Sequence, residues 1–512
     1  MAQSRDAIFF TDEDFAWVEP RAEPEPAVEA PPSRTRPVRR QQRTLAGDLR
    51  RLRAAVPRRG LALPARARTL VVPAALLLIV GVALLIILRG HSANQAGAPP
   101  KPLKPLATEP PPNAPTSIQM LRRGDRKAAV ADLQTALTAL GLYSLPADGV
   151  FGDSTSAAVL AFQRSRGLSP DGVAGPATMA ALVAALSEGA RSDATAADTG
   201  LAAAAEQGRL SHASAQHFSS MLSDSLSGLE KLSPGRVSAL AVVFHEVASH
   251  VDAYDEHRAR ALFGMLQANA AYLAKHPPPT ERVDMEDADG IAYRYFPGHG
   301  FQFHPIAAFA RLNSLAGHGR TAQVERLANA LVARGVPTGK ALVWEYYFPF
   351  GGPNRWISGF AQATAAQALA RSGALLHDPA FFKDAKAAFR AIPKLLSMNL
   401  GGGVWIREYG YSDMPILNAQ LQSLLSLMDY VRISGDKAAM AYVAKQAAAS
   451  KTLLASFDTG CWSRYSLNGS PASLDYHKYH VRLLQKLAKT TGEAIWPQTA
   501  SRWEGYLAAG PC

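Results

Sequence analysis

The chain has 512 residues, 48% of them apolar and 19% charged, and carries a formal net charge of +12 at pH 7. That length exceeds one typical domain, so a multi-part protein is expected. The positive charge is local: ten arginines and one acid, Asp48, lie between Arg39 and Arg68 and account for nine of the twelve net charges. The remainder is nearly balanced, so a basic surface over the folded parts is not supported and no nucleic-acid partner is expected. Two cysteines, Cys461 and Cys512, lack the paired spacing of a zinc-finger type site, and whether they bridge is left open.

Residues 1–69 are rich in Pro, Glu, Arg and Ala and read as a disordered basic cytoplasmic tail, whose opening FFTDEDFAWVE could dock a cytoplasmic partner. Leu70 to Leu88 (LVVPAALLLIVGVALLIIL) is nineteen residues without a charge. At about 1.5 Å per residue it is long enough for a hydrocarbon core of about 30 Å. The arginines on its N-terminal side predict a single-pass protein of the bacterial cytoplasmic membrane. In that reading the N-terminus is cytoplasmic and the C-terminal domains are periplasmic or otherwise extracytoplasmic. Residues 89–116 are proline-rich and read as a semi-rigid spacer.

Residues 117–187 predict a compact helical unit. Val130, Leu133, Leu137 and Leu140 form a helical stripe, followed by Asp148-Gly149-Val150-Phe151-Gly152 and, 23 residues later, Asp171-Gly172-Val173-Ala174-Gly175. Each Asp-Gly turn leads through a second Gly into a helix. The order L-R-x-G-D, V-x-x-L-Q, D-G-x-F-G and V-x-x-F-Q resembles the small three-helix peptidoglycan-binding domain. The resemblance implies a non-catalytic module gripping cell-wall glycan or stem peptide, through Asp148, Gly149, Phe151, Gly152, Phe162 and Gln163.

Residues 188–232 read as an alanine-rich linker, and 233–512 as paired amphipathic helices. Candidate helices cover 234–257, 258–275, 303–316, 321–335, 356–372, 379–398, 415–434, 437–456 and 473–490. The fold expectation is mainly α: one transmembrane helix, the three-helix module and a C-terminal α/α-toroid-like domain. Loop-proximal clusters combine aromatics with polar groups. They include Tyr293, Arg294, Tyr295, His299 and His304, then Trp344 to Tyr347 with Arg355, and finally the stretch DTGCWSRYSLNGSPASLDYHKYH. Aromatic faces suit sugar rings, and arginine suits a carboxylate, so an anionic sugar fits these loops. HEVASH spaces His245 and His250 five apart, which takes the second His off the first one's helix face, so no metal site is expected.

The segment from about 290 to 510 resembles the C-terminal helical domain of D-glucuronyl C5-epimerases. The carrying motifs are W-x-S-x-x-A-Q (Trp356, Ser358, Gln362), Glu408-Tyr409 after a Gly-rich hairpin, L-N-x-Q (Asn418) and D-T-G leading to Tyr465. D-Y-H (Asp475, Tyr476, His477) and R-W-x-x-Y-L complete the set. The resemblance implies C5 proton exchange on a uronic-acid-containing polysaccharide, without a cofactor or metal. It maps proton transfer to Tyr409, Tyr465 and Tyr476 with Glu408. Substrate binding maps to Trp356, Ser358, Gln362, Arg407, Asn418, Arg464 and His477. Departures are Arg407 in place of an acid, Gly410 in place of Pro, and no β-rich domain ahead of the helices. A non-catalytic glycan-binding scaffold, or a tether between membrane and peptidoglycan, is the alternative; a lyase is a further one.

Overall fold

The computed structural model describes residues 120–510, apart from 146, 280 and 281. The expected tail, the 70–88 segment, the spacer and Cys512 lie outside them. Among the described residues no helix is long and apolar enough to cross a membrane. This corrects the expectation of a single transmembrane helix and of a single-pass membrane location. The longest described helix has 31 residues, but Glu188, Arg191, Asp193 and Asp198 interrupt it, whereas a span needs about 20 mostly apolar residues. The described part is mainly helical, with fourteen α-helices.

The N-terminal module contains α1 (Ala128–Ala139), α2 (Asp153–Ser165) and the first turns of α3 (Pro176–Glu206) around Val130, Leu133, Leu137, Phe151, Val159 and Phe162. Its duplicated turns have one physical cause. Gln134 Nε2 donates to Asp148 Oδ1 (2.8 Å) and Val150 O (3.1 Å), while its Oε1 accepts from Gly149 N–H (2.9 Å). Gln163 repeats the pattern on Asp171 (2.8 Å), Val173 O (2.9 Å) and Gly172 N–H (2.9 Å). Gly149 and Gly172 both have φ +71°, which favours glycine.

The expected linker is helical instead. α3 runs from the module into a second core through Ala190, Ala194, Ala197 and Leu201, and α4 (His212–Leu229) follows, capped by Ser211. The recurrence of Ala at i+3 and i+4 gives α3 a buried stripe of strong helix formers. α5 (Pro234–Ala248) and α6 (Glu256–Lys275) pack with α3 and α4, and β1–β3 (Asp284–Glu286, Ala292–Phe296, Gly300–Phe303) form an antiparallel sheet. A small cavity between module and helices is lined by Asp132, Thr135, Ser238 and Tyr295.

Four helical hairpins follow. Inner helices α7 (Pro305–Gly317), α9 (Gly359–Leu376), α11 (Leu417–Ser434) and α13 (Leu474–Thr491) adjoin in that order. Outer helices α8 (Thr321–Val332), α10 (Pro379–Leu395), α12 (Lys437–Leu453) and α14 (Ile495–Ala509) back them. All nine helices expected from the periodicity are present; α14 and the sheet were not expected. A buried network crosses the inner row. Asp429 on α11 accepts from Arg371 Nε (2.6 Å) and Gln367 Nε2 (3.0 Å) on α9, and Gln367 Oε1 accepts from Asn313 on α7 (3.2 Å). Burial would raise the Asp429 carboxyl, but Arg371 and Arg432 hold it below its ordinary value.

Short antiparallel hairpins lead into the inner helices: β4–β5 (Val336–Thr338, Ala341–Val343), β6–β7 (Glu345–Tyr346, Trp356–Ile357) and β8–β9 (Ser397–Leu400, Gly403–Ile406). The fourth residue of each of the last three inner helices anchors the segment before it. Gln362 Oε1 accepts from Trp344 N–H (3.1 Å), Gln420 Oε1 from Ile406 N–H (2.8 Å), and His477 Nδ1 from Ser463 N–H (3.1 Å).

Two outcomes test this packing. Gln420→Leu leaves the Ile406 N–H buried without its acceptor and is expected to cost about 1–3 kcal/mol in urea unfolding, against near zero for the exposed Gln498→Leu. Burial pushes Asp132 up to about 6 from 3.8, so its penalty is absent below pH 4 and complete above pH 6. Asp132→Asn is therefore expected to stabilise the protein by up to about 3 kcal/mol at pH 7 and by little at pH 4.

Candidate functional site

The loop side of the inner helices gathers the tyrosines. Tyr465 and Tyr476 are ring neighbours, with centroids 4.7 Å apart. Leu417 N–H donates to Tyr465 O (3.0 Å), which sets Tyr465 at the start of α11, where Asn418 follows Leu417. Tyr476 is the third residue of α13 and is buried there. Asn418, the second residue of α11, is fully buried, and neither amide atom has a protein partner. A buried amide without partners asks for a ligand or water.

Tyr409 lies in a different set of contacts. Its ring is 5.5 Å from Trp356, 5.8 Å from Phe350 and 5.6 Å from Tyr411. A β-bridge pairs Ser358 with Tyr409, and Gly359 N–H donates to Arg407 O (3.0 Å). Gly359 is required for this close approach, because a Cβ there would meet Arg407 O at 2.4 Å. Ser358 caps α9 and donates to the buried Glu408 Oε1 at 3.3 Å. The structure thus pairs Tyr465 with Tyr476 and groups Tyr409, Glu408, Trp356 and Ser358.

Other expected residues bond to the fold. Gln362 is fully buried and donates to Leu342 O (2.8 Å) and Ala388 O (3.2 Å) besides accepting from Trp344. His477 stacks on Trp462 at 3.8 Å, and its Nε2 faces Trp503 O at 2.8 Å. Burial lowers its imidazole below the ordinary value. Arg464 donates to Gly469 O (2.7 Å). Arg407 pairs with the exposed Asp413 at 2.6 Å, an ion pair of little strength. In the module, Phe151, Phe162 and Gln163 are buried, and Asp148 and Gly149 bond to Gln134. Gly152 is the N-cap of α2.

The D-T-G stretch and the closing R-W-x-x-Y motif meet each other. Asp458 accepts from Trp503 Nε1 (2.8 Å), Arg502 Nε (2.8 Å) and Tyr506 Oη (3.2 Å). Burial alone would raise this carboxyl; hydrogen bonds from Trp503, Gly460 N–H and Arg502 hold it below its ordinary value. Among the residues of the first aromatic cluster, Tyr293 donates to Asp287 (3.0 Å) and Arg294 to Asp284 (2.6 Å), so both are structural. No metal-holding cluster occurs among the described residues. Sequence reasoning missed Ser463 and His480, which meet at 2.9 Å, with His480 one turn after Tyr476; the repeat of His at 477 and 480 was the available signal.

The loop side of these helical hairpins thus presents the Tyr465–Tyr476 pair, the buried Asn418 and the buried Glu408. Residues 338–505 match the family described as D-glucuronyl C5-epimerase C-terminus, and residues 126–182 match the putative peptidoglycan binding domain. The D-glucuronyl C5-epimerase of Caenorhabditis elegans is 28% identical over 180 residues, covering 30% of this chain and 29% of the worm protein. A probable N-acetylmuramoyl-L-alanine amidase of Bacillus licheniformis is 45% identical over 69 residues, 13% of this chain and 19% of that protein. The chain therefore spans less than a third of either relative. A GH8 endo-β-1,4-glucanase from an Achatina fulica gut metagenomic library overlies 44% of this chain and 74% of its own, at 12% identity and a TM-score of 0.33, too low to carry an argument.

The depressed Asp458 carboxyl contributes stability above the unfolded value near 4, and that stability is lost as pH falls through the folded value. Asp458→Asn is expected to cost about 1–3 kcal/mol at pH 7 and progressively less toward pH 3, measured by denaturant unfolding at both.

Proposed function

We propose that the C-terminal domain exchanges the C5 proton of uronic acid residues in an anionic polysaccharide, while the N-terminal module holds the protein to peptidoglycan. The observation that carries this reading is the Tyr465–Tyr476 pair at the helix starts inside the epimerase-like segment. C5–H lies alpha to a carboxylate and is very weakly acidic. A phenolate on one face of the sugar takes the proton, leaving an enolate-like carboxylate, and a phenol on the other face returns one. The C5–H bond breaks and re-forms with inversion, and no group leaves.

Tyr465 and Tyr476 are the two proton-transfer candidates, with Tyr409 as the third phenol. Asn418 offers hydrogen bonds to the developing enolate, and Arg407 exchanges Asp413 for the sugar carboxylate. The half-buried Tyr411 offers a ring to a sugar, with the buried Trp356 and Glu408 behind it. Gln362 and His477 act through the hairpins they hold. Gln134 and Gln163 hold the module's duplicated turns from inside, and its wall contacts come from the exposed positions there, Asp148 among them.

A scaffold that binds glycan without turnover is the second reading, favoured by Arg407, which stands where the epimerase pattern has an acid and pairs with Asp413. Deuterium incorporation at C5 of uronic acid polymers in heavy water separates the two. Tyr476→Phe and Tyr465→Phe are each expected to lower incorporation by about 10²–10⁴-fold with polymer binding retained. Retained binding with no incorporation by the unaltered protein, over a panel of uronic acid polymers, supports the scaffold.

A further inference from the structure

Beneath the tyrosine pair lies a second layer of side chains that the proposed chemistry does not use. Ser463 is two residues before Tyr465, and His480 is one turn after Tyr476 on α13. The Tyr476 and His480 ring centroids are 6.5 Å apart, and helical side chains lean toward the N-terminal turn, which directs His480 toward Tyr476. Ser463 Oγ joins the two histidines, at 2.8 Å from His477 Nδ1 and 2.9 Å from His480 Nδ1. His480 is fully buried, and its Nε2 has no hydrogen-bond partner.

Hydrogen-bond accounting fixes the tautomers. His477 Nε2 lies 2.8 Å from the Trp503 carbonyl, an acceptor, so that nitrogen carries the proton and Nδ1 is bare. The bare Nδ1 accepts from Ser463 N–H, which cannot turn away, and from Ser463 Oγ–H. The single hydroxyl proton of Ser463 is then committed, so the contact with His480 is attractive only if His480 Nδ1–H donates to Oγ. His480 Nε2 is left as a buried lone pair. Burial pushes His480 down to about 3, with His477 adding to the effect, so the ring stays neutral across the range in which proteins work. Leaving a buried acceptor unmade costs about 1–3 kcal/mol, and a neutral acceptor one turn from a phenol has an evident donor.

We propose that His480 is a positioning residue that takes a hydrogen bond from the Tyr476 phenol through one bridging water, and so keeps Tyr476 the protonated member of the tyrosine pair. This rests on the epimerase-like reading above: Tyr465 would then start as the base and Tyr476 as the acid. His477 is the fixed end of the relay, since its Nε2–H is committed to the backbone, and Ser463 transmits that choice to His480. The arrangement selects a direction of proton delivery without placing a charge under the site.

Two measurements on the full-length protein test the assignment, neither of which needs turnover. Nitrogen-15 histidine spectra, with His480 assigned by its loss in His480→Gln, are expected to show a neutral Nδ1–H tautomer unchanged from pH 5 to 8. An Nε2–H tautomer, or titration near 6.5, overturns the proposal. With tyrosine labelled at carbon ζ and Tyr476 assigned through Tyr476→Phe, His480→Phe is expected to raise the Tyr476 ionisation constant roughly fivefold, moving it to lower pH. An unchanged constant in a folded His480→Phe variant also overturns it. Should uronic acid polymers show no C5 exchange, the epimerase reading falls, while the tautomer and the phenol titration still decide the role of His480.

Discussion

The bond from the fourth residue of an inner helix back to a backbone N–H governs how this domain is built. Hairpins of two to four residues per strand do not hold themselves in water. Here Gln362, Gln420 and His477 each supply the acceptor that fixes the segment 18, 14 and 14 residues upstream. Gln420 also reaches Gln446 O (3.3 Å) and Ser450 Oγ (3.0 Å), tying its outer helix to the same point. Each helical hairpin therefore carries its loop in a defined place, and the next segment bridges to it, as Tyr409 does to Ser358 and Ser466 to Ile416.

That constraint divides the aromatic and polar loop residues into two kinds. Some bond inward and complete the scaffold: Trp462 to Ala472 O at 2.7 Å, Asp458 to the last helix, and Glu345 to Arg258 at 2.8 and 2.9 Å. Others stand at the helix starts, among them the Tyr465–Tyr476 ring pair and Asn418, whose amide has no protein partner. The stretch DTGCWSRYSLNGSPASLDYHKYH contains both kinds. Asp458, Trp462, Ser463 and His477 hold the loop, and Tyr465 and Tyr476 are ring neighbours beside them. The peptidoglycan-binding module follows the same logic, because Gln134 and Gln163 hold its duplicated turns from inside.

Much of the helical framework was legible. The apolar periodicity located the nine long helices of the C-terminal part to within a few residues at most ends, because buried stripes repeat at helical spacing. The segment 188–232 was read as a linker since alanine carries little apolar contrast, although its spacing buries a full stripe of α3. The motif residues were found, but sequence does not say which way a Gln or His points. Gln362 and His477 were expected on substrate and instead face backbone groups, while His480 escaped notice because a second buried histidine looks like core. Composition likewise suggested a span at 70–88, and no described helix supports one.

The most direct measurement is a crystal structure of the protein with a uronic acid oligosaccharide bound. The expected result places C5 of one sugar between the Tyr465 and Tyr476 hydroxyls, its carboxylate near Asn418 and Arg407, with Gln362, Gln420 and His477 still bonded to their backbone partners. An oligosaccharide seated away from both phenols, or reached only after those three anchors let go, contradicts it.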